Sequence, residues 1–149
     1  MDIGNFVSEM EKQQKEQDSI YHNAAVKFGL SDTAMWILYV ISRTNKEYFQ
    51  HELCDMSFFA KQTINSAISG LVKKGYIELK TDEKSRRQKK VVLTENGKLF
   101  AASTTKKLYK AEERAYKNFS DEEMEFYLDI TKRINKYLKE EIFDCQTDI

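Results

Sequence analysis

The sequence contains no proline and only five glycines in 149 residues. Those two residues force or permit tight turns, so their scarcity disfavours a many-turned β fold and favours long helices. No apolar run approaches the roughly 18 residues that span a bilayer. The opening stretch MDIGNFVSEMEKQQ carries an acid at once and has no apolar signal core. The expectation is a cytoplasmic protein with no membrane partner. Cys54 and Cys145 are the only cysteines, and in a reducing compartment they read as free thiols. Signatures of catalysis are missing too: there is no nucleophile elbow, no glycine-rich phosphate loop and no paired-histidine zinc motif. His51, Glu52, Cys54 and Asp55 crowd one turn, but they lack the second histidine a zinc helix needs. No enzyme, cofactor or metal is expected.

Net charge is also missing, with 24 basic and 24 acidic residues. The distribution is uneven. Residues 58–90 hold nine Lys or Arg against three acids, so this stretch carries +6 and the remainder −6. A solvated charge run is the ordinary meaning of such a stretch. The elements it encodes point further.

Ile3, Phe6, Val7, Met10, Ile20, Tyr21, Ala24 and Phe28 lie near one stripe and predict a helix over 3–28, stopped by Gly29. Ser31 or Asp32 caps a second helix that is apolar on every side from Ala34 to Ile41, which marks a central core helix. A short helix follows at about 50–55. Ala60, Ile64, Ala67, Ile68, Leu71 and Val72 then fall at helical spacing and predict a buried face over 60–74, with Gly75 as the left-handed cap. Alternation in 76–81 and 89–93 predicts a two-stranded hairpin with a basic tip at 82–88. Thr94 caps a long helix to about Tyr116, and Ser120 with Glu123 forms a capping box for a last helix. Met124, Tyr127, Leu128, Ile134, Leu138 and Ile142 make that helix's apolar face.

Two helices joined by a tight turn and followed by a hairpin form a winged helix-turn-helix. The second helix suits a DNA major groove if one face is buried and the other has no carboxylate to repel phosphate. The polar face of 60–74 is Lys61, Gln62, Thr63, Asn65, Ser66, Ser69 and Lys73, without an acid. The amides of Gln62 and Asn65 match adenine, the short hydroxyl residues Thr63, Ser66 and Ser69 let the helix sit deep, and Lys61 and Lys73 suit phosphates. In the wing, Lys84, Arg86, Arg87, Lys89 and Lys90 can follow the backbone, with one arginine in a narrow minor groove. Cys54 reads as a small buried hydrophobe in preference to an oxidant sensor. Trp36, Tyr39, Phe58 and Phe59 read as core in preference to the lining of a ligand pocket, and His22 as a helix-surface residue.

The stretches FAKQTINSAISGLVKKGYIEL and SRRQKKVVLTENGKLF resemble the recognition helix, wing and following helix of the MarR family of bacterial regulators. The family's Asp-x-Arg…Leu-Thr…Gly pattern falls on Ser85, Arg87, Leu93, Thr94 and Gly97. The resemblance implies a mainly α fold with a small β-hairpin wing. Residues 1–149 would form a single domain, with residues 31–99 as the DNA-binding region and residues 1–30 and 100–149 as dimerisation helices. It further implies a homodimeric repressor on a pseudo-palindromic double-stranded operator, released in many members by a small phenolic or lipophilic effector or an oxidant. Two positions depart from the pattern. Ser85 replaces the aspartate that braces the wing arginine, and Gly70 interrupts the recognition helix at about 1 kcal/mol relative to Ala. With the zero net charge, they keep open a second reading, a winged-helix module that pairs with another regulator and does not itself read DNA.

Overall fold

Side-chain caps set where most helices begin. In the computed structural model, which describes residues 2–144, Asp2 Oδ2 accepts from the backbone N–H of Asn5 at 3.1 Å and starts α1 (Ile3–Lys27). Ser31 Oγ accepts from Ala34 N–H and starts α2 (Asp32–Thr44). Gly29 between them has φ +69°, a left-handed conformation that glycine adopts without a Cβ penalty. His22 on the exposed side of α1 meets the Asp32 carboxylate at 2.9 Å. The chain then forms β1 (Tyr48–Phe49), α3 (Gln50–Met56), α4 (Lys61–Lys73), β2 (Ile77–Thr81), β3 (Lys89–Leu93), α5 (Glu95–Ser103), α6 (Thr105–Tyr116) and α7 (Asp121–Lys139), with a π-helical turn at Glu140–Asp144. Cys145 lies outside the described residues.

The core is built on α2, where Ile37 and Leu38 are fully buried. They meet Leu53 of α3, Ile64, Ile68 and Leu71 of α4, and Ile77 and Val91 of the sheet in one cluster. Burying each such side chain contributes about 1.5–3 kcal/mol, so this cluster holds the helix-turn-helix and its wing together. Cys54 is half-buried at its edge.

One sequence expectation is extended and another corrected. The expected hairpin is present as β2 and β3, and β1 adds a third strand to make an antiparallel sheet of order β1-β3-β2. β1 pairs Tyr48 with Val91 and Phe49 with Lys90, while β2 runs against β3 from Ile77↔Leu93 to Thr81↔Lys89. Two residues are too few to show alternation, which is why β1 escapes a sequence reading. The expected continuous helix from Thr94 to Tyr116 breaks at Thr104, whose φ of −126° and ψ of −89° leave the helical region. Ser103 Oγ and Thr104 Oγ1 both donate to the Phe100 carbonyl, at 2.9 and 2.7 Å. Thr105 Oγ1 pairs with Ser42 Oγ at 2.9 Å in the interior. Three successive hydroxyl residues offer the backbone competing bonds, and the helix yields to them.

By contact the chain divides into two compact units, residues up to 110 and residues from 111 onward. In the second unit the capping box is present as expected. Ser120 N–H donates to Glu123 Oε2 at 2.8 Å, and Glu123 N–H donates to Ser120 Oγ at 3.2 Å. None of the residues of α7 is buried.

One close approach fixes the helix after the wing. Thr94 Oγ1 donates to the Gly75 carbonyl and accepts from Gly97 N–H, while Thr94 N–H donates to the Tyr76 carbonyl at 3.1 Å. A Cβ on Gly97 would stand 1.8 Å from the Tyr76 carbonyl oxygen. Only glycine lets α5 start there, and Tyr76 then stacks on Phe100 with ring centroids 4.1 Å apart. Gly97→Ala is expected to cost about 3 kcal/mol. Thermal melting should show a midpoint lower by roughly 10 °C, and an unchanged midpoint would contradict this packing.

Candidate nucleic-acid interface

The buried side of α4 dictates its exposed side. With Ile64, Ile68 and Leu71 held in the core, Lys61, Gln62, Asn65, Ser66, Ser69, Gly70 and Lys73 line one shallow outer groove. Six of the seven residues expected on this face share that surface. Thr63 is the exception: it lies on a second depression between α4 and α2, with Ser31, Thr33, Ala67, Gly70 and Lys74. Val72, expected to be buried, is 39% exposed, and Ala60, expected inside the helix, is its N-terminal cap and is exposed. Lys74 is engaged internally, donating to the Gly29 carbonyl at 3.0 Å.

A third depression, of about 320 Å³, joins the wing to the helix-turn-helix. Arg87, Gln88 and Lys89 line it from the hairpin, Lys61 and Asn65 from α4, and Gln50, His51 and Cys54 from α3. Gln50 and His51 were not among the residues expected here. His51 stacks on Phe49 of β1, with centroids 5.5 Å apart, and since β1 is invisible in the sequence, so is this placement. Lys84 and Arg86 are exposed in the 82–88 turn and line none of these three depressions.

The charges fall into two groups. Lys61, Lys73, Lys84, Arg86, Arg87 and Lys89 are all exposed, and among the described residues none of them forms an ion pair. Among the described residues, no Asp or Glu lines any of the three depressions. Lys90 behaves differently from the wing cations with which its sequence groups it. Its Nζ lies 3.4 Å from Asp82 and 3.7 Å from Glu47, and 5.4 Å from the Phe49 ring centroid. It is therefore engaged within the protein, and only the other wing cations face outward unpaired.

The departures noted in the sequence also acquire geometry. Ser85 is part of the turn backbone, donating its N–H to Asp82 O and accepting from Gln88 N–H at 3.3 and 3.1 Å. Nothing lies within 4 Å of where a Cβ on Gly70 would stand, so no internal close approach requires that glycine. Trp36 and Phe59 pack edge to face at 6.2 Å and Tyr39 meets Tyr109 at 6.3 Å, with Trp36, Tyr39 and Phe59 partly buried against the core. Phe58 does not join them. It is fully exposed in the turn before α4, because Phe59 takes the inward position beside Trp36.

The MarR family model matches residues 28–88. No curated protein matches the chain by sequence. Among solved structures, a MarR family regulator from Neisseria meningitidis is similar at a TM-score of 0.77 and 19% identity, over 93% of this chain and 96% of that one. A putative MarR family transcriptional regulator from Listeria monocytogenes, complexed with 26mer DNA, is similar at 0.70 and 21% identity, over 95% and 91%. A MarR transcriptional regulator from Methanosarcina mazei gives 0.64 and 25% identity, over 91% and 98%.

Because the Gly70 site is open, Gly70→Ala is expected to stabilise the protein by about 1 kcal/mol, raising the melting midpoint by roughly 2–4 °C; a lower midpoint would show a constraint that the local geometry lacks. The family match, the helix-turn-helix with its basic wing and the structural matches agree: residues 28–88, from the start of the helix-turn-helix to the wing turn, match the MarR family, and the chain has the fold of the MarR transcriptional regulators.

Proposed function

We propose that the protein is a sequence-specific double-stranded DNA-binding regulator that acts as a homodimeric repressor on a pseudo-palindromic operator. The observation that carries this reading is the acid-free outer face of α4, which carries Lys61 and Lys73 and adjoins a depression lined by Arg87 and Lys89, all four exposed and without an ion pair. Side chains that fold without an internal partner, next to a helix of groove-compatible polarity, suit a phosphate backbone. The Listeria relative complexed with 26mer DNA supports the same use of the fold.

In this reading Gln62 and Asn65 read base edges, and Ser66 and Ser69 let α4 approach the bases closely. Lys61, Lys73, Lys84, Arg86, Arg87 and Lys89 neutralise phosphates, with an arginine of the wing in the minor groove. Thr63, turned toward α2, serves the backbone and not the bases. The dimer is supported by apolar side chains exposed on the single chain. Ile3, Phe6, Val7 and Met10 of α1 are exposed, as are Phe126, Tyr127, Leu128, Tyr137 and Leu138 of α7. Such apolar exposure marks an association surface. Two recognition helices related by a twofold axis then require two related half-sites.

Selection of duplexes from a random pool at about 0.15 M salt, where non-specific attraction is partly screened, should enrich a pseudo-palindrome. Gln62→Ala or Asn65→Ala should change the preferred sequence. Arg87→Ala should weaken all duplexes alike and lower the salt slope by about 1 per protomer. A stable dimer that enriches nothing, or helix variants that keep full affinity and preference, would overturn this reading in favour of a protein-pairing module.

A further inference from the structure

The wing contains a cluster of charges paired within the protein. Lys90 lies at the middle of the sheet, paired in register with Phe49 of β1 on one side and with Lys80 of β2 on the other. Two ammonium groups on directly opposed residues of neighbouring strands destabilise the pairing unless neutralised. Each has a carboxylate. Lys80 Nζ lies 3.7 Å from Glu78, and Lys90 Nζ lies between Asp82 at 3.4 Å and Glu47 at 3.7 Å. The Lys90–Asp82 pair is the more sheltered, with side chains 33% and 15% exposed, so it is less screened than the fully solvated pairs elsewhere on the surface. Asp82 is also the residue at which the wing turn closes, since its N–H donates to the Gln88 carbonyl at 3.2 Å.

We infer that Lys90 and Asp82 are positioning residues of the wing. Lys90 anchors the base of the 82–88 turn to β1, through Asp82 on one side and Glu47 with the Phe49 ring on the other. The turn is therefore held from its base and not from its tip. This arrangement accounts for Ser85: the turn needs no acid at that position to be ordered, and Arg86 and Arg87 remain without an internal carboxylate. The consequence for DNA affinity rests on the reading proposed above. The brace itself does not.

Asp82→Asn separates positioning from charge because the two predict opposite signs. Removing an acid beside the wing adds to its positive field, so charge alone would tighten duplex binding. Loss of the brace would weaken it. Full-length protein without DNA is digested with limiting trypsin, which cuts after Lys84, Arg86 and Arg87. Cleavage in Asp82→Asn and in Lys90→Met should be roughly fivefold faster than in the wild type, the change expected for a modest shift toward an open turn. Cleavage after the lysines of α1 and α7 should be unchanged, which separates a loosened wing from global unfolding. Duplex affinity should fall severalfold in both variants. Lys90→Met should keep the wild-type salt slope, whereas Lys89→Gln should lower it by about 1 per protomer. Unchanged wing cleavage in both variants overturns the inference, and so does tighter duplex binding by Asp82→Asn. If wild-type protein binds no duplex, the DNA-binding reading fails while the cleavage comparison still decides the brace.

Discussion

The orientation of α4 about its own axis is the constraint from which the rest of the site follows. Each residue turns a helix by about 100°, so the burial of Ile64, Ile68 and Leu71 against Ile37, Leu38 and Leu53 leaves little choice about what faces outward. A slip of one residue would turn Gln62 and Asn65 sideways and expose part of the core. The same three side chains thus hold the first unit together and aim its polar face. α2 can serve as the common floor because it is apolar on nearly all sides, and the sheet closes the core through Ile77 and Val91.

A second regularity concerns where charge is balanced within the molecule. Some of the lysines and arginines of α1, α5 and α7 sit beside a carboxylate: Lys12 with Glu9, Lys98 with Glu95, Arg133 with Asp129. In the wing, Lys80 and Lys90 are balanced as well. Lys61, Lys73, Arg87 and Lys89 line the groove of α4 and the depression that adjoins it, and among the described residues no acid lines either. Zero net charge is therefore compatible with nucleic-acid binding. Field strength at a surface depends on local arrangement, and here the compensating acids lie elsewhere in the chain.

Much of this was legible in the sequence because it rests on local chemistry. Ser31, Thr94 and Ser120 cap the helices they precede, Gly29 and Gly75 adopt positive φ at helix ends, and the spacing of Ile64, Ile68 and Leu71 announces the buried face. What was not legible depends on partners distant in the chain. β1 is two residues long and exists only because β3 accepts it. The break at Thr104 combines three consecutive hydroxyls with a bond from Thr105 to Ser42, far away in α2. Lys90 resembles its neighbours in every local respect and differs through Asp82 across the hairpin and through Glu47 and Phe49, which β1 and the residue before it bring alongside. Phe58 and Phe59 are adjacent and chemically identical, and only the edge of Trp36 decides which of them is buried.

In the proposed function, the unpaired cations of α4 and the wing meet phosphates. The most direct measurement is duplex affinity as a function of salt for the purified protein, since each neutralised phosphate adds about −0.9 to the logarithmic slope. If at least half of the six cations engage in each protomer of a dimer, the slope should be roughly −5 or steeper. A slope of about −1 or shallower, from folded protein, would mean that these side chains meet no phosphate backbone and would contradict the proposed function.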